Sequence, residues 1–197
     1  MTLDSLLNTL RSSLVSPREG IRIVMGWRLS LQDSILALGL TAVVSAGLIS
    51  LVVGTLPPNM DPVSAAMLTN PIYLALMQFV GLGMIALCLH LLGRVFKGHG
   101  TLPEAVALMA WLEAVLILLS VAQSVIVFLF PPLGLILVPL GLMISLWLIT
   151  NYVAELHGFT SLPLTLFGVI GAFLAAGIVM VFVFFLAFAL GILHVPG

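Results

Sequence analysis

Five long apolar runs, separated by short polar segments, fill the chain from about residue 34 to residue 193. A helix that crosses a bilayer needs about 20 mostly apolar residues, and each run has them. The pattern predicts spans at about 34–54, 72–95, 103–130, 133–152 and 162–193. Ahead of them, residues 1–29 are amphipathic. Leu3, Leu6, Leu7, Leu10 and Leu14 recur at helical spacing, with Asn8, Arg11, Ser12 and Ser13 on the other side. Ser16-Pro17-Arg18-Glu19 then predicts a second helix, with Ser16 as cap, Pro17 in the first turn and Glu19 completing the box. Ile21, Val24 and Met25 share a face of it, and Trp27 suits the headgroup level. The segment reads as one or two helices on the membrane surface; the alternative is a short solvated arm with a chance leucine pattern.

The third run is the one to which the others relate. Thr101-Leu-Pro-Glu104 is a capping box, and the helix from Pro103 to Phe130 would be about 42 Å long. That exceeds the roughly 30 Å hydrocarbon core, so it can span with tilt. Glu113 falls about 18 Å along it, near mid-membrane. Ser120 and Ser124 follow on nearly the same face, with Gln123 beside them. Pro131-Pro132 ends the helix and makes the third and fourth spans antiparallel neighbours. Pro139 should kink the fourth span.

The other spans carry small-residue edges that let helices approach closely. The first, capped by Ser30-Leu-Gln-Asp33, has Ala42, Ala46 and Ser50; the fifth has Gly168, Ala172 and Ala176, with Gly171 and Ala175 as a second ladder. The second holds Gln78, and His90 and Arg94 near its end. Residues 55–71 form a loop with Asp61 and four prolines, and residues 153–161 a short loop with Glu155 and His157.

Composition turns this pattern into a class. Charged residues are 7% of the chain, hydrophobic ones 62%, and mean hydropathy is +1.33. A soluble domain needs roughly 25% charged residues, so most of this surface faces lipid. The formal net charge of −1 gives no basic field for nucleic acid. The single cysteine, Cys88, forms no internal disulfide and reads as packing. The fold class is all-α: a polytopic integral membrane protein, residues 30–197 forming a five-span domain and residues 1–29 the surface helices. No cleavable signal peptide is evident, so the first span serves as the insertion signal. All Lys and Arg lie in the first 28 residues or the loop after the second span. The positive-inside rule then places the N-terminus in the cytoplasm and the C-terminus outside. Arg11, Arg18, Arg22, Arg94 and Lys97 are the expected contacts to that surface.

The chemistry is sparse. No Walker loop, Gly-x-Ser-x-Gly or His-Glu-x-x-His occurs, and the four histidines lack ligand spacing, so neither an enzyme nor a metal or cofactor is expected. Glu113 is the sharpest feature, because an acid at a helix centre costs roughly 2.5–3.5 kcal/mol to insert. Either it forms a proton- or ion-handling site with His90 and Gln123, or it is a neutral, hydrogen-bonded group that fixes helix packing.

The order of elements resembles the Yip1-domain family. The resemblance rests on a cytoplasmic N-terminus, closely spaced spans, a nearly absent C-terminal tail, and the glycine-rich loop Gly93-Arg-Val-Phe-Lys-Gly-His-Gly-Thr-Leu-Pro-Glu-Ala105. Ser16-Pro-Arg-Glu-Gly20 is similar to the pre-membrane segment of bacterial members. The resemblance runs from about Ser16 to Leu193 and implies a short bacterial-type member. Eukaryotic relatives are trafficking factors that bind Rab GTPases and one another. Their Asp-Leu-Tyr-Gly-Pro segment has no counterpart here, where Val24-Met-Gly-Trp-Arg28 stands, so Rab binding is not carried over, and no catalytic residue is either. The expected function is a non-enzymatic membrane adaptor or assembly factor. Its partners would be the bilayer and other membrane proteins, or itself as an oligomer. The alternative is a small proton- or ion-coupled transporter or channel using Glu113 and His90.

Overall fold

The computed structural model describes residues 3–53 and 68–190. They form α1 (Leu3–Val15), α2 (Pro17–Gly26), α3 (Leu31–Val53), α4 (Pro71–Val95), α5 (Leu102–Leu129), a 3₁₀ turn (Pro131–Leu133), α6 (Gly134–His157) and α7 (Leu162–Ala189), with no strand among the described residues. Helices α3 to α7 are the five that are long and apolar enough to cross a membrane. Most of the expected 55–71 loop, including Asp61, lies outside the described residues, as do the last residues of the fifth run and His194.

The helix starts follow local sequence. Ser30 and Asp33 cap α3 reciprocally: the Asp33 amide donates to Ser30 Oγ at 3.2 Å, and the Ser30 amide and hydroxyl donate to Asp33 Oδ2 at 3.3 and 2.6 Å. Asn70 Oδ1 accepts from the amides of Ile72 and Tyr73 ahead of Pro71. Thr101 donates from its amide and hydroxyl to Glu104 Oε2, at 2.9 and 2.7 Å. The Ser16 cap differs from expectation. Ser16 sits at the cap position, but its hydroxyl makes no cap bond. Its amide still bonds the Ser12 carbonyl of α1, so the junction is too tight to turn the side chain over α2.

The fourth span also differs. Helix α6, with Pro139 in its interior as expected, runs to His157, five residues beyond the expected end, so half of the expected 153–161 loop is helix, with Val153, Ala154, Leu156 and His157 buried. It stops where Gly158 takes a left-handed φ of 73° and the Phe159 amide bonds back to the Ala154 carbonyl at 2.8 Å.

Helix α3 packs on α4 and α5, α4 also on α5 and α7, and α6 lies between α5 and α7. The buried core is skewed toward one end. Ala105 to Leu112 and Leu148 to Ala154 are continuously buried. That is because α1 and α2 fold over this end of the bundle, α2 lying against α5 and α6. Toward the opposite end, α5 and α6 expose Val125, Phe128, Leu135 and Val138 to what would be lipid. Ala42, Ala46, Ala172 and Ala176 are buried, as the small-residue edges require, and Ala175 packs at the core's margin. Gly168 and Gly171 do not share that role: a Cβ on either would meet nothing within 4 Å.

The α1–α2 corner depends on one missing side chain. A Cβ on Gly20 would lie 2.5 Å from Ser13 Cα, whereas one on Gly26 would meet nothing. Gly20→Ala should therefore destabilise the corner by roughly 1–3 kcal/mol, seen as faster proteolysis of the N-terminal segment. Gly26→Ala should change it by less than about 0.5 kcal/mol.

Candidate functional site

Two polar constellations are built into the bundle. The first surrounds Glu113. Gln78 Nε2 of α4 donates to Glu113 Oε1 at 2.6 Å and to Ser45 Oγ of α3 at 2.8 Å. One amide nitrogen thus ties three spans together, using both of its protons. In hydrocarbon such groups must find partners inside the protein, and these do.

The structure does not bring His90 or Gln123 to Glu113. His90 Nδ1 lies 3.1 Å from the Gly100 carbonyl, at the level of the α4–α5 loop. Gly100 is 13 residues before Glu113, roughly 20 Å of helix. Gln123 Nε2 donates to the Leu137 carbonyl of α6 at 2.8 Å, and Gly141 leaves it room: a Cβ there would stand 2.6 Å from that nitrogen. Ser120 and Ser145 bond to carbonyls of their own helices, those of Leu116 and Leu142. The polar groups of α5 therefore stand as separate local contacts rather than as one path. Gln78 and Ser45 were the partners that sequence reasoning missed. Their signal was present, since each is a polar residue inside an apolar run.

The second constellation fixes α1 and α2 to the bundle. Trp111 Nε1 of α5 donates to Ser13 Oγ at 2.9 Å, and Ser13 Oγ donates to the Thr9 carbonyl at 2.8 Å. The buried Tyr152 hydroxyl of α6 stands beside the same two side chains but makes no hydrogen bond of ordinary geometry. Trp27 meets Trp111 edge to face, with centroids 5.3 Å apart, so its ring packs on the bundle as well as bordering the surface. Arg22 reaches Glu155 Oε1 through Nε at 2.8 Å and Nη2 at 2.7 Å. Beside this, His157 is 1% exposed and sits where side chains on Gly93, Gly98 and Gly100 would otherwise stand. Its ring nitrogens make no hydrogen bond of ordinary geometry, the Leu89 backbone being the polar group that faces them. The remaining expected surface cations, Arg11, Arg18, Arg94 and Lys97, make no ion pair among the described residues. Arg11, Arg94 and Lys97 are exposed and Arg18 is half-buried. No group of three potential metal ligands occurs among the described residues.

These contacts rank differently in energy. Arg22 is 66% exposed against 18% for Glu155, so solvent screens the pair. A double-mutant cycle on Arg22→Ala and Glu155→Ala should return about 0.2–1 kcal/mol, shrinking with salt. Glu113→Gln keeps an acceptor for Gln78 and should leave thermal stability in detergent within about 0.5 kcal/mol. Glu113→Leu leaves one of the two Gln78 N–H groups without an acceptor and should cost roughly 1–2 kcal/mol.

A family model for the Yip1 domain matches residues 11–193, from within α1 to beyond the end of α7. No curated protein and no solved structure matches the chain. The match takes in the Glu113 constellation, the second constellation except Thr9, the glycine-rich loop and all five apolar helices. The chain is a multi-pass membrane protein belonging to the Yip1 domain family.

Proposed function

We propose that this protein is a non-enzymatic membrane adaptor or assembly factor that engages other membrane proteins through its N-terminal helices and through helix faces open to lipid. Its N-terminal helices would lie in the cytoplasm and its C-terminus outside, as the distribution of Lys and Arg favours, and its membrane would be a bacterial inner membrane, as the resemblance to short bacterial members implies. The observation that carries the reading is the platform made by α1 and α2. Ser13, Trp27 and Arg22 hold it against α5 and α6. Its outer side exposes Leu7, Leu14, Val15 and Ile23, Val15 by 72%. A fixed amphipathic surface of this kind suits a partner that itself sits at the membrane.

Within the bilayer, Ala42, Ala46, Ala172 and Ala176 are consumed by packing inside the chain. Gly47 and Gly177 have open space where a side chain would stand, and these are faces on which a second helix could close. The transporter reading has less support, because Glu113 is engaged by Gln78 and is not joined to His90 or Gln123.

The test is purification from native membranes in mild detergent. A stoichiometric, salt-resistant membrane protein should accompany the wild-type chain and be lost, by about tenfold or more, from a Leu7→Glu/Val15→Glu variant that keeps its thermal stability. A homogeneous oligomer of this chain alone would overturn the reading. So would ion flux in liposomes of the pure protein that Glu113→Gln abolishes.

A further inference from the structure

Between α4 and α7 lies a cavity of about 460 Å³, within the range of sites that hold small molecules. Its walls are apolar, made by Leu89, Leu92, Phe96, Leu164 and Phe167 among others. Two absences create it. Gly168 and Gly171 line it and have nothing within 4 Å of where a Cβ would be. It opens sideways, because Phe167 is 71% exposed and Leu164 and Phe96 are exposed too. Both helices are membrane-spanning by length and composition, so the opening faces lipid.

The dimensions and polarity of the groove select an occupant. Along α7 it runs from Ser161, just before the helix, to Gly171. Ten residues of helix measure about 15 Å, the depth of one leaflet's hydrocarbon. The groove's polar lining residues are Thr160 and Ser161 at the membrane-surface end and Thr165 one turn further in, whose hydroxyl is taken up by the Ser161 carbonyl at 2.8 Å. Phe96, another lining residue, is followed by Lys97, and Arg94 lies in the last turn of α4 just before it. Both cations are exposed and make no ion pair among the described residues. Lys97 holds a left-handed φ of 61°, a conformation that costs a non-glycine residue roughly 1 kcal/mol or more. A largely apolar slot one leaflet deep, with its polar residues within a turn of its surface end and cations beside that end, has the shape and charge of a site for one membrane phospholipid.

We infer that the α4–α7 groove binds a phospholipid of the leaflet bordering the N-terminal helices. An acyl chain lies between Leu89 and Gly171, and an anionic headgroup is held at Arg94 and Lys97. The gain over bulk lipid comes from two sources. The chain fills a void that would otherwise forfeit dispersion contacts along its walls. The headgroup gains about 1 kcal/mol per cation near the surface.

The experiment is native mass spectrometry of the full chain purified in mild detergent, followed by reconstitution in vesicles of mixed zwitterionic and anionic phospholipid and re-extraction. Wild type should retain about one phospholipid per chain, enriched in the anionic species by about fivefold over the vesicle. Gly168→Leu/Gly171→Leu, which fills the slot from positions with free space, should lower retention about tenfold without lowering thermal stability. Gly177→Leu, equally open but outside the groove, should retain lipid as wild type does. Arg94→Ala/Lys97→Ala should keep a lipid and lose the anionic preference, a readout that does not depend on the leucine variants folding. Retention unchanged in the leucine variant, equal loss in Gly177→Leu, or an anionic preference that survives removal of both cations would overturn the assignment.

Discussion

The arrangement depends on the close approach of His157 to a backbone without side chains. The ring occupies the volume that Cβ atoms on Gly93, Gly98 and Gly100 would need. Those glycines belong to the end of α4 and to the turn before α5. The end of α6 is therefore seated into the α4–α5 connection, and three spans acquire a common reference level. From that level the rest is set by helix geometry. Glu155 stands within reach of Arg22 two residues before His157, and Tyr152 faces Trp111 a turn further back. Gly158 takes the left-handed turn that stops α6 once the ring is in place, and Phe159 stacks on the imidazole at 5.4 Å. Any side chain in the cradle would lift α6 away and separate the groups that hold the N-terminal helices.

Polar chemistry inside the bundle serves the same geometry. Lipid tails are as apolar as leucine, so spans gain nothing from being apolar against one another. Close packing of small residues and a few hydrogen bonds must orient them. The bonds from Gln78 to Ser45 and Glu113 fix α3, α4 and α5 relative to each other deep in the membrane, and the Gln123 bond to Leu137 does so for α5 and α6 toward the far end. Each lies where a small or absent side chain admits it, Gly141 most directly. The acid is one of several orienting contacts and need not be the seat of a reaction to justify its place.

The fold was legible because apolar length is an explicit signal. Helices α3, α4, α5 and α7 begin within three residues of their expected starts, the cap at Ser30 closes as its sequence specifies, and at Thr101 Glu104 reaches back to the cap amide while the Thr101 hydroxyl donates to the same carboxylate. Contacts between elements were less legible. Counting from the α4–α5 connection puts Glu113 about 17 Å along α5, His90 about 8 Å back along α4 and Gln78 about 26 Å back. Depth alone does not choose between them. The choice comes from helix stagger, which His157 and its glycines set, and which no single segment encodes. The extension of α6 was hidden for a similar reason. Glu155 and His157 look like loop residues until Arg22, far away in sequence, and the glycine cradle supply their surroundings. Gly168 and Gly171 matched a packing ladder in spacing, yet spacing does not say whether a neighbouring helix is present.

The two ends of the bundle consequently differ in kind. At the N-terminal end, seven helices converge and side chains interlock through aromatic, ionic and hydrogen-bonded contacts. At the other end, α5 and α6 are exposed along much of their surface and meet chiefly each other. A molecule built this way has one end whose shape is fixed by its own residues and one whose surroundings are supplied by the membrane. Partners that need a defined surface would meet the first. The second can adjust to lipid or to another span with little internal cost, because few buried contacts there would have to break. The α4–α7 groove lies at the fixed end, where the walls cannot collapse onto each other. His157 holds Gly93 and α6 in register, and Ala172 and Ala176 bind α7 to the core below. A void that rigid walls keep open in a lipid environment is one that lipid, rather than the protein, must fill.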